Sequence, residues 1–368
     1  MTRNLLVFSL ALLLLASCAS APPASKAATA PPIWNGLAPG EFAVGFKSWM
    51  LRAQAADFKF AAPHPIQISV WYPAEPRGAS MRYRDYLLLS LTEKSPEAPT
   101  EAQRKAGLDD FTKFLTSAGL SAKSVHTLIE TPMYAHRDAP SLTGRRFPMV
   151  VIVQGNGQAA AAQAVLAEYL ASHGYVVVTT PSITRLTTPL ENMEQIGQKS
   201  VEQAEDVDRA ASAIGDWPNA VNIPVSVIGH SFGARGALIY AMHHPTNALI
   251  SLDGGIGTTP GTKSMLDHKM MDLTVEMPPV LHFYEILDDR MNPDFRMLKS
   301  LRTPDLELVR MESMQHVHFT TDGFAAAMLP EFARISKAGP DLKKEVVSMA
   351  EQTLAFLDKQ WASRRPVS

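Results

Sequence analysis

The chain has a single cysteine, Cys18, so no disulfide can form within one molecule. Neither sign of charge dominates. The 34 Lys and Arg against 36 Asp and Glu leave a net charge of −2, with no basic excess to track a nucleic acid and no strongly charged partner implied. The apolar run at residues 5–16, broken only by Ser9, falls short of the roughly 20 residues a membrane-spanning helix needs. No internal repeat is visible. What is present is a chain that is 46% hydrophobic, with the length of one large α/β domain or two small ones and ample material for a core.

The N-terminus carries its own signal. Arg3 followed by the 5–16 run has the layout of a signal peptide. Leu15-Ala16-Ser17-Cys18 resembles the bacterial lipobox, which makes residues 1–18 a lipoprotein-type signal peptide and Cys18 the lipidation site. Ala19 and Ser20 are not the aspartate that retains lipoproteins at the inner membrane, so the resemblance implies an outer-membrane lipoprotein held to the bilayer by its lipid. Ordinary cleavage after Ala19-Ser20-Ala21 is the competing reading and would give a periplasmic or secreted protein. Residues 19–38 are read as a flexible Ala/Pro-rich linker, and residues 39–368 as the folded domain.

Strands and helices alternate through that domain. Ile66-Gln67-Ile68-Ser69-Val70-Trp71-Tyr72 alternates apolar and polar residues as an early strand, with the stretch around 42–50 as its partner. Thr100-Glu101-Ala102-Gln103 is a capping box, and Leu108, Phe111, Phe114, Leu115 and Ala118 recur at helical spacing, which predicts a helical insertion at about 95–124 packed on the core. The apolar runs at 147–153 and 175–180 read as strands buried on both faces, separated by a helix over 159–173. A polar helix over 193–214 leads to another buried strand. Further strands at 248–253, 279–284 and 306–310 and a closing helix at 341–360 complete an α/β pattern with a mostly parallel sheet.

The chemistry centres on Gly229-His230-Ser231-Phe232-Gly233, set between a β-branched apolar run and a helix-forming segment. That context is a nucleophile elbow, where the turn is so tight that small residues flank the serine and its hydroxyl projects at a helix N-terminus. Two other glycine motifs are set aside. Gly155-Asn156-Gly157-Gln158-Ala159-Ala160 matches a dinucleotide fingerprint, but the next strand ends in Thr179-Thr180-Pro181-Ser182 without the required carboxylate. The segment 257–264 misses a phosphate loop because Thr262 precedes the lysine. No cofactor is implied.

A serine nucleophile needs a base, and the base needs an acid to fix its tautomer. The histidines beyond the elbow helix are His268, His282, His316 and His318. His282 lies inside a predicted strand, and His268 precedes the usual order of serine, acid, histidine. The loop after the last strand favours His316 as base, with His318 as the alternative. Their H-x-H spacing also resembles a metal clip, but no further ligands accompany it and no metal is implied. For the acid, spacing leaves three residues open: Asp253 after one strand, Asp288 and Asp289 after the next. Backbone donors for an oxyanion are expected at Phe232 and, by position, at Asn156. The methionines at 265, 270, 271 and 277 could line an acyl pocket, though core filling explains each of them as well.

Gly229-His230-Ser231-Phe232-Gly233, Ser251-Leu252-Asp253-Gly254, His316-x-x-Phe319 and Ser69-Val70-Trp71-Tyr72-Pro73 resemble the platelet-activating-factor acetylhydrolase branch of the α/β-hydrolases. Leu170-Ala171-Ser172-His173-Gly174-Tyr175-Val176-Val177 is similar to the same branch and to dienelactone hydrolases. The resemblance covers most of residues 40–330 and departs at Gln154-Gly155, where the family often has His-Gly. It implies an α/β-hydrolase fold, Asp253 as the acid and a serine esterase acting on a small-molecule or lipid ester through an acyl-enzyme. A non-catalytic envelope lipoprotein that uses the fold for binding, and a peptidase or amidase on the same triad, are the alternatives.

Overall fold

The computed structural model describes residues 29–51, 65–95, 97–183, 193–215, 217–221, 224–266, 268–288 and 292–363. The expected signal peptide, Cys18, the first half of the expected linker and Asp289 lie outside them. Among the described residues no helix is long and apolar enough to cross a membrane.

Among the described residues ten strands form one sheet. In chain order they are β1 (Ala43–Leu51), β2 (Ile66–Ala74), β3 (Ala79–Arg82), β4 (Pro132–Arg137), β5 (Met149–Val153), β6 (Val176–Thr180), β7 (Ser226–His230), β8 (Ala248–Leu252), β9 (Val280–Tyr284) and β10 (Leu306–Arg310), in the spatial order β10-β9-β8-β7-β5-β6-β2-β1-β4-β3. The half from β10 to β6 is parallel throughout. The pairs β6·β2, β2·β1 and β4·β3 are antiparallel, and β1·β4 is parallel. Strands β5 to β8 are buried at every position because helices cover both faces, which is why they read as unbroken apolar runs. The two apolar layers are separate. One packs Trp34, Phe46, Trp71, Leu166 and Phe324; the other packs Val151, Val178, Ala237, Leu238 and Met297.

Two sequence expectations need correction. The tether does not extend to residue 38. Pro32–Trp34 forms a 3-10 turn, Ile33, Trp34 and Leu37 are buried, and Trp34 Nε1 donates to the buried carboxylate of Glu168 at 3.3 Å. An Ala/Pro-rich composition does not reveal that one tryptophan among it fills a core site. The insertion is also larger and less buried than expected. Four helices, Tyr83–Leu87, Leu89–Lys94, Glu101–Ser117 and Ala122–Ile129, stand between β3 and β4. The capping box at Thr100 and Gln103 forms, but of the expected apolar stripe only Leu115 is buried and Phe114 is 68% exposed. Helical spacing gave the element; it did not give a surface to cover it.

Candidate active site

The elbow joins the end of β7 to the helix Gly233–His243. Ser231 bridges them at φ 52°, a left-handed conformation that costs a residue with a Cβ roughly 1–2 kcal/mol. The flanking glycines follow from the tightness of the turn. A Cβ on Gly229 would sit 2.4 Å from Ala234 Cα, and one on Gly233 would sit 2.2 Å from the carbonyl oxygen of Val153. Both obstacles are backbone or Cα atoms, which cannot swing aside. The serine backbone is tied to the neighbouring strand end: its N–H donates to Leu252 O at 3.2 Å, and its carbonyl accepts from Gly255 N at 2.8 Å.

Three residues expected from the sequence come together here. His316 opens a 3-10 turn, His316–Phe319, after β10. Its Nε2 lies 2.8 Å from Ser231 Oγ and its Nδ1 lies 2.5 Å from Asp253 Oδ2. An ionised carboxylate can only accept, so Nδ1 carries the proton and the Nε2 lone pair faces the serine hydroxyl, the tautomer a general base requires. Asp253 is buried at φ 43° just past β8; its N–H donates to Phe283 O, and its Oδ1 accepts from Glu285 N at 3.2 Å.

The described alternatives, Asp288 and His318, make other contacts. The Asp288 N–H donates to the Glu285 carboxylate, and Asp288 lines the cleft beside His316. His318 is buried, with Nδ1 accepting from Gln315 N at 2.8 Å and Nε2 against Ser336 Oγ at 2.7 Å. Burial pushes its pKa down to about 4, so it is a neutral loop-fixing residue. Because the two rings of H-x-H serve different partners, the spacing does not form a clip. His282 is also buried in its strand against Ser251 Oγ, at 2.9 Å.

Phe232 and Asn156 are the positions expected to supply oxyanion donors. Among the described residues neither N–H has a protein acceptor, whereas the Gly155 N–H between them is bonded to Gln158 Oε1 at 2.7 Å. The two uncommitted amides flank the serine, one on the elbow and one on the loop after β5. A Cβ on Gly155 would lie 3.0 Å from Ser231 Cβ, so this loop approaches the nucleophile at close to van der Waals limits.

The sequence reading missed His230, Gln158 and Glu285. The His230 ring stacks on His316 with centroids 5.0 Å apart and planes 25° from parallel. Its Nδ1 is 3.0 Å from Gln158 Oε1. That oxygen already accepts the Gly155 N–H, so His230 Nδ1 is the donor. Burial, and then the neighbouring His316, push the His230 pKa down to about 3. A neutral ring is thus laid flat on the base and does not compete for its proton. The one available signal was its place immediately before the serine.

The cleft at His316 has a volume of about 510 Å³ and is lined by Leu287, Asp288, Gln315, Val317, Ser336 and Lys337. Ile286, Leu287 and Val317 are 40–44% exposed, an apolar group at the edge of the site. The methionines belong to the core instead: Met265 and Met277 are buried, and Met270 and Met271 pack against the same cluster.

No family model and no curated protein matches the chain. Among solved structures it is similar to a ferulic acid esterase from Streptomyces cinnamoneus, with TM-score 0.60 and 17% identity over 89% of this chain and 94% of that one. A second similarity is to a dipeptidyl aminopeptidase IV-like protein from Bacteroides ovatus, with TM-score 0.48 and 12% identity over 86% of this chain and 36% of that one.

Proposed function

We propose, from the α/β-hydrolase fold that the chain adopts, that it is a serine-dependent ester hydrolase of the bacterial cell envelope. One observation carries the reading: the continuous chain Ser231 Oγ, His316 Nε2 and Nδ1, Asp253 Oδ2, at 2.8 and 2.5 Å. Ser231 Oγ attacks the ester carbonyl while His316 Nε2 takes its proton, and the carboxylate of Asp253 stabilises the resulting imidazolium. The tetrahedral oxyanion is held by the Phe232 and Asn156 N–H groups, each such donor being worth about 10²–10³ in rate. His316 returns the proton to the departing alcohol. Water then enters by the same route to release the acid.

The apolar group formed by Ile286, Leu287 and Val317 suits an ester with an acyl or lipid portion, consistent with the acetylhydrolase-like motifs. The envelope location rests on the lipobox-like residues ending in Cys18. Wild type and Ser231→Ala, each incubated with a fluorophosphonate probe and a p-nitrophenyl ester chain-length series, test the chemistry. Labelling and turnover in wild type alone are expected; equal activity in the variant overturns the assignment. Membrane fractionation of Cys18→Ala against wild type tests the anchor, with loss from the membrane fraction expected.

A further inference from the structure

Arg235 lies one helical turn beyond the serine and is only 8% exposed. Its guanidinium stacks over the Phe232 ring, with Cζ 4.9 Å from the centroid. On another side it presses against the loop after Asp253: a Cβ on Gly255 would fall 2.5 Å from Cζ, so that loop is kept bare to make room. Despite this enclosure the group meets no carboxylate, carbonyl or hydroxyl among the described residues, and its Nε is shut off from solvent with no acceptor. Neither Nη atom is fully enclosed, so the outer edge of the fork retains solvent contact. Burial lowers its pKa to about 10, which leaves it cationic at neutral pH.

A buried, unpaired cation is costly, and an apolar side chain of similar volume would fill the same space without that cost. The ring beneath it belongs to Phe232, whose amide is one of the uncommitted donors, and the glycine beside it bonds to the Ser231 carbonyl. We propose that Arg235 is the anion-binding subsite of the enzyme, specific for a carboxylate carried by the substrate. Stacking fixes the guanidinium plane, so its Nη edge is held ready for bidentate pairing with a carboxylate. The substrates are then hemiesters, in which one carboxyl is esterified and another is free. The inference rests on the ester-hydrolase reading for its meaning, but its test does not depend on turnover.

The test measures binding of monoethyl succinate and of its neutral counterpart, diethyl succinate, to Ser231→Ala by calorimetry. One charge-assisted pair predicts that the hemiester binds about ten- to a hundred-fold more tightly. Ser231→Ala/Arg235→Gln should bring the hemiester to the level of the diester, while Arg235→Lys keeps part of the preference. Equal binding of the two esters by Ser231→Ala overturns the proposal, even if the Arg235 variants do not fold. In parallel, wild-type kcat/KM is compared for mono-p-nitrophenyl succinate and p-nitrophenyl valerate. Hydrolysis of both without preference refutes the subsite alone, whereas hydrolysis of neither, with no fluorophosphonate labelling, refutes the ester-hydrolase reading.

Discussion

Replacing Asp253 by asparagine gives the sharpest test of the site, because the surrounding donors dictate how the amide must sit. Asp253 Oδ1 accepts from the main-chain N–H of Glu285, and Oδ2 accepts from His316 Nδ1. A main-chain N–H cannot become an acceptor. The oxygen of the introduced amide must therefore stay on Glu285, and its NH2 must face His316. A neutral imidazole can answer by moving its proton to Nε2, leaving the Nδ1 lone pair to accept. The flipped amide is worse, since it opposes two donors at Glu285. With the proton on Nε2, His316 donates to Ser231 Oγ and can no longer take its proton.

The expected loss is about four orders of magnitude in kcat, equivalent to about 5 kcal/mol of activation free energy. Stability should change little, because every donor at the site still has an acceptor. Asp253→Ala, in contrast, orphans the buried Glu285 N–H and should also cost about 1–3 kcal/mol of folding stability. Steady-state hydrolysis of p-nitrophenyl butyrate, with thermal unfolding of the same samples, separates the two effects. If Asp253→Asn retains more than a tenth of wild-type kcat with an unchanged melting curve, the tautomer argument is wrong.

The other expectations are more compact. Gly229→Ala and Gly233→Ala each place a Cβ within 2.4 Å of atoms that cannot rotate away, so each should lower stability by about 3 kcal/mol or more in denaturant unfolding and abolish labelling of Ser231. His316→Ala should remove turnover and, by taking the donor from the buried Asp253 carboxylate, also cost about 1–3 kcal/mol of stability. His318→Ala should spare turnover far more: it orphans the Gln315 N–H and removes the Nε2 donor from the Ser336 hydroxyl, which still donates to Phe332 O, and should cost about 1–3 kcal/mol of stability. Burial raises the Glu168 carboxyl from 4.5 to about 7, outweighing donors from Tyr86, Tyr134, Ala135 and Trp34. The folded chain thus keeps a proton that the unfolded chain has lost, and the contribution of this residue to stability falls as pH rises through that interval. Relative to Glu168→Gln, wild type should lose about 2 kcal/mol between about pH 5 and about pH 8, and an opposite sign would show the carboxylate to be the preferred buried form.

What the sequence revealed followed from short-range geometry. The elbow was legible because steric crowding forces glycine at fixed distances from Ser231. Strands β5 to β8 were legible because two-sided burial leaves nothing polar in them. Strand β3 was not, since only Met81 of Ala79–Arg82 is buried and a one-residue signal has no period. The burial of Trp34 depends on Glu168 and Tyr134, a hundred residues or more away in the chain. Gln158 and Glu285 were invisible for a related reason: Gln158 accepts a backbone N–H and Glu285 supplies its own to Asp253, and a backbone group carries no mark in the sequence.

Among the described residues, the strand ends show what places one carboxylate against His316 where spacing left several open. Both β8 and β9 end beside the site with carboxylates close by, Asp253 on one and Glu285 and Asp288 on the other. The two ends are coupled: the Asp253 N–H donates to Phe283 O, so the chain remains in register with β9 for one residue past β8 before turning at φ 43°. That turn points the Asp253 side chain toward His316 and sets its second oxygen on the Glu285 N–H. Glu285 in turn accepts the Leu287 and Asp288 N–H groups of the following turn with one carboxylate oxygen, Oε2. The end of β9 therefore supports the acid of β8 through its backbone while its side chain holds the loop that forms the rim of the cleft. Two main-chain donors on Oε2 tie the Glu285 carboxylate to its own loop, whereas the second oxygen of Asp253 is aimed at His316 by a strained, paired backbone. Among the described carboxylates it is therefore Asp253 that reaches His316 Nδ1.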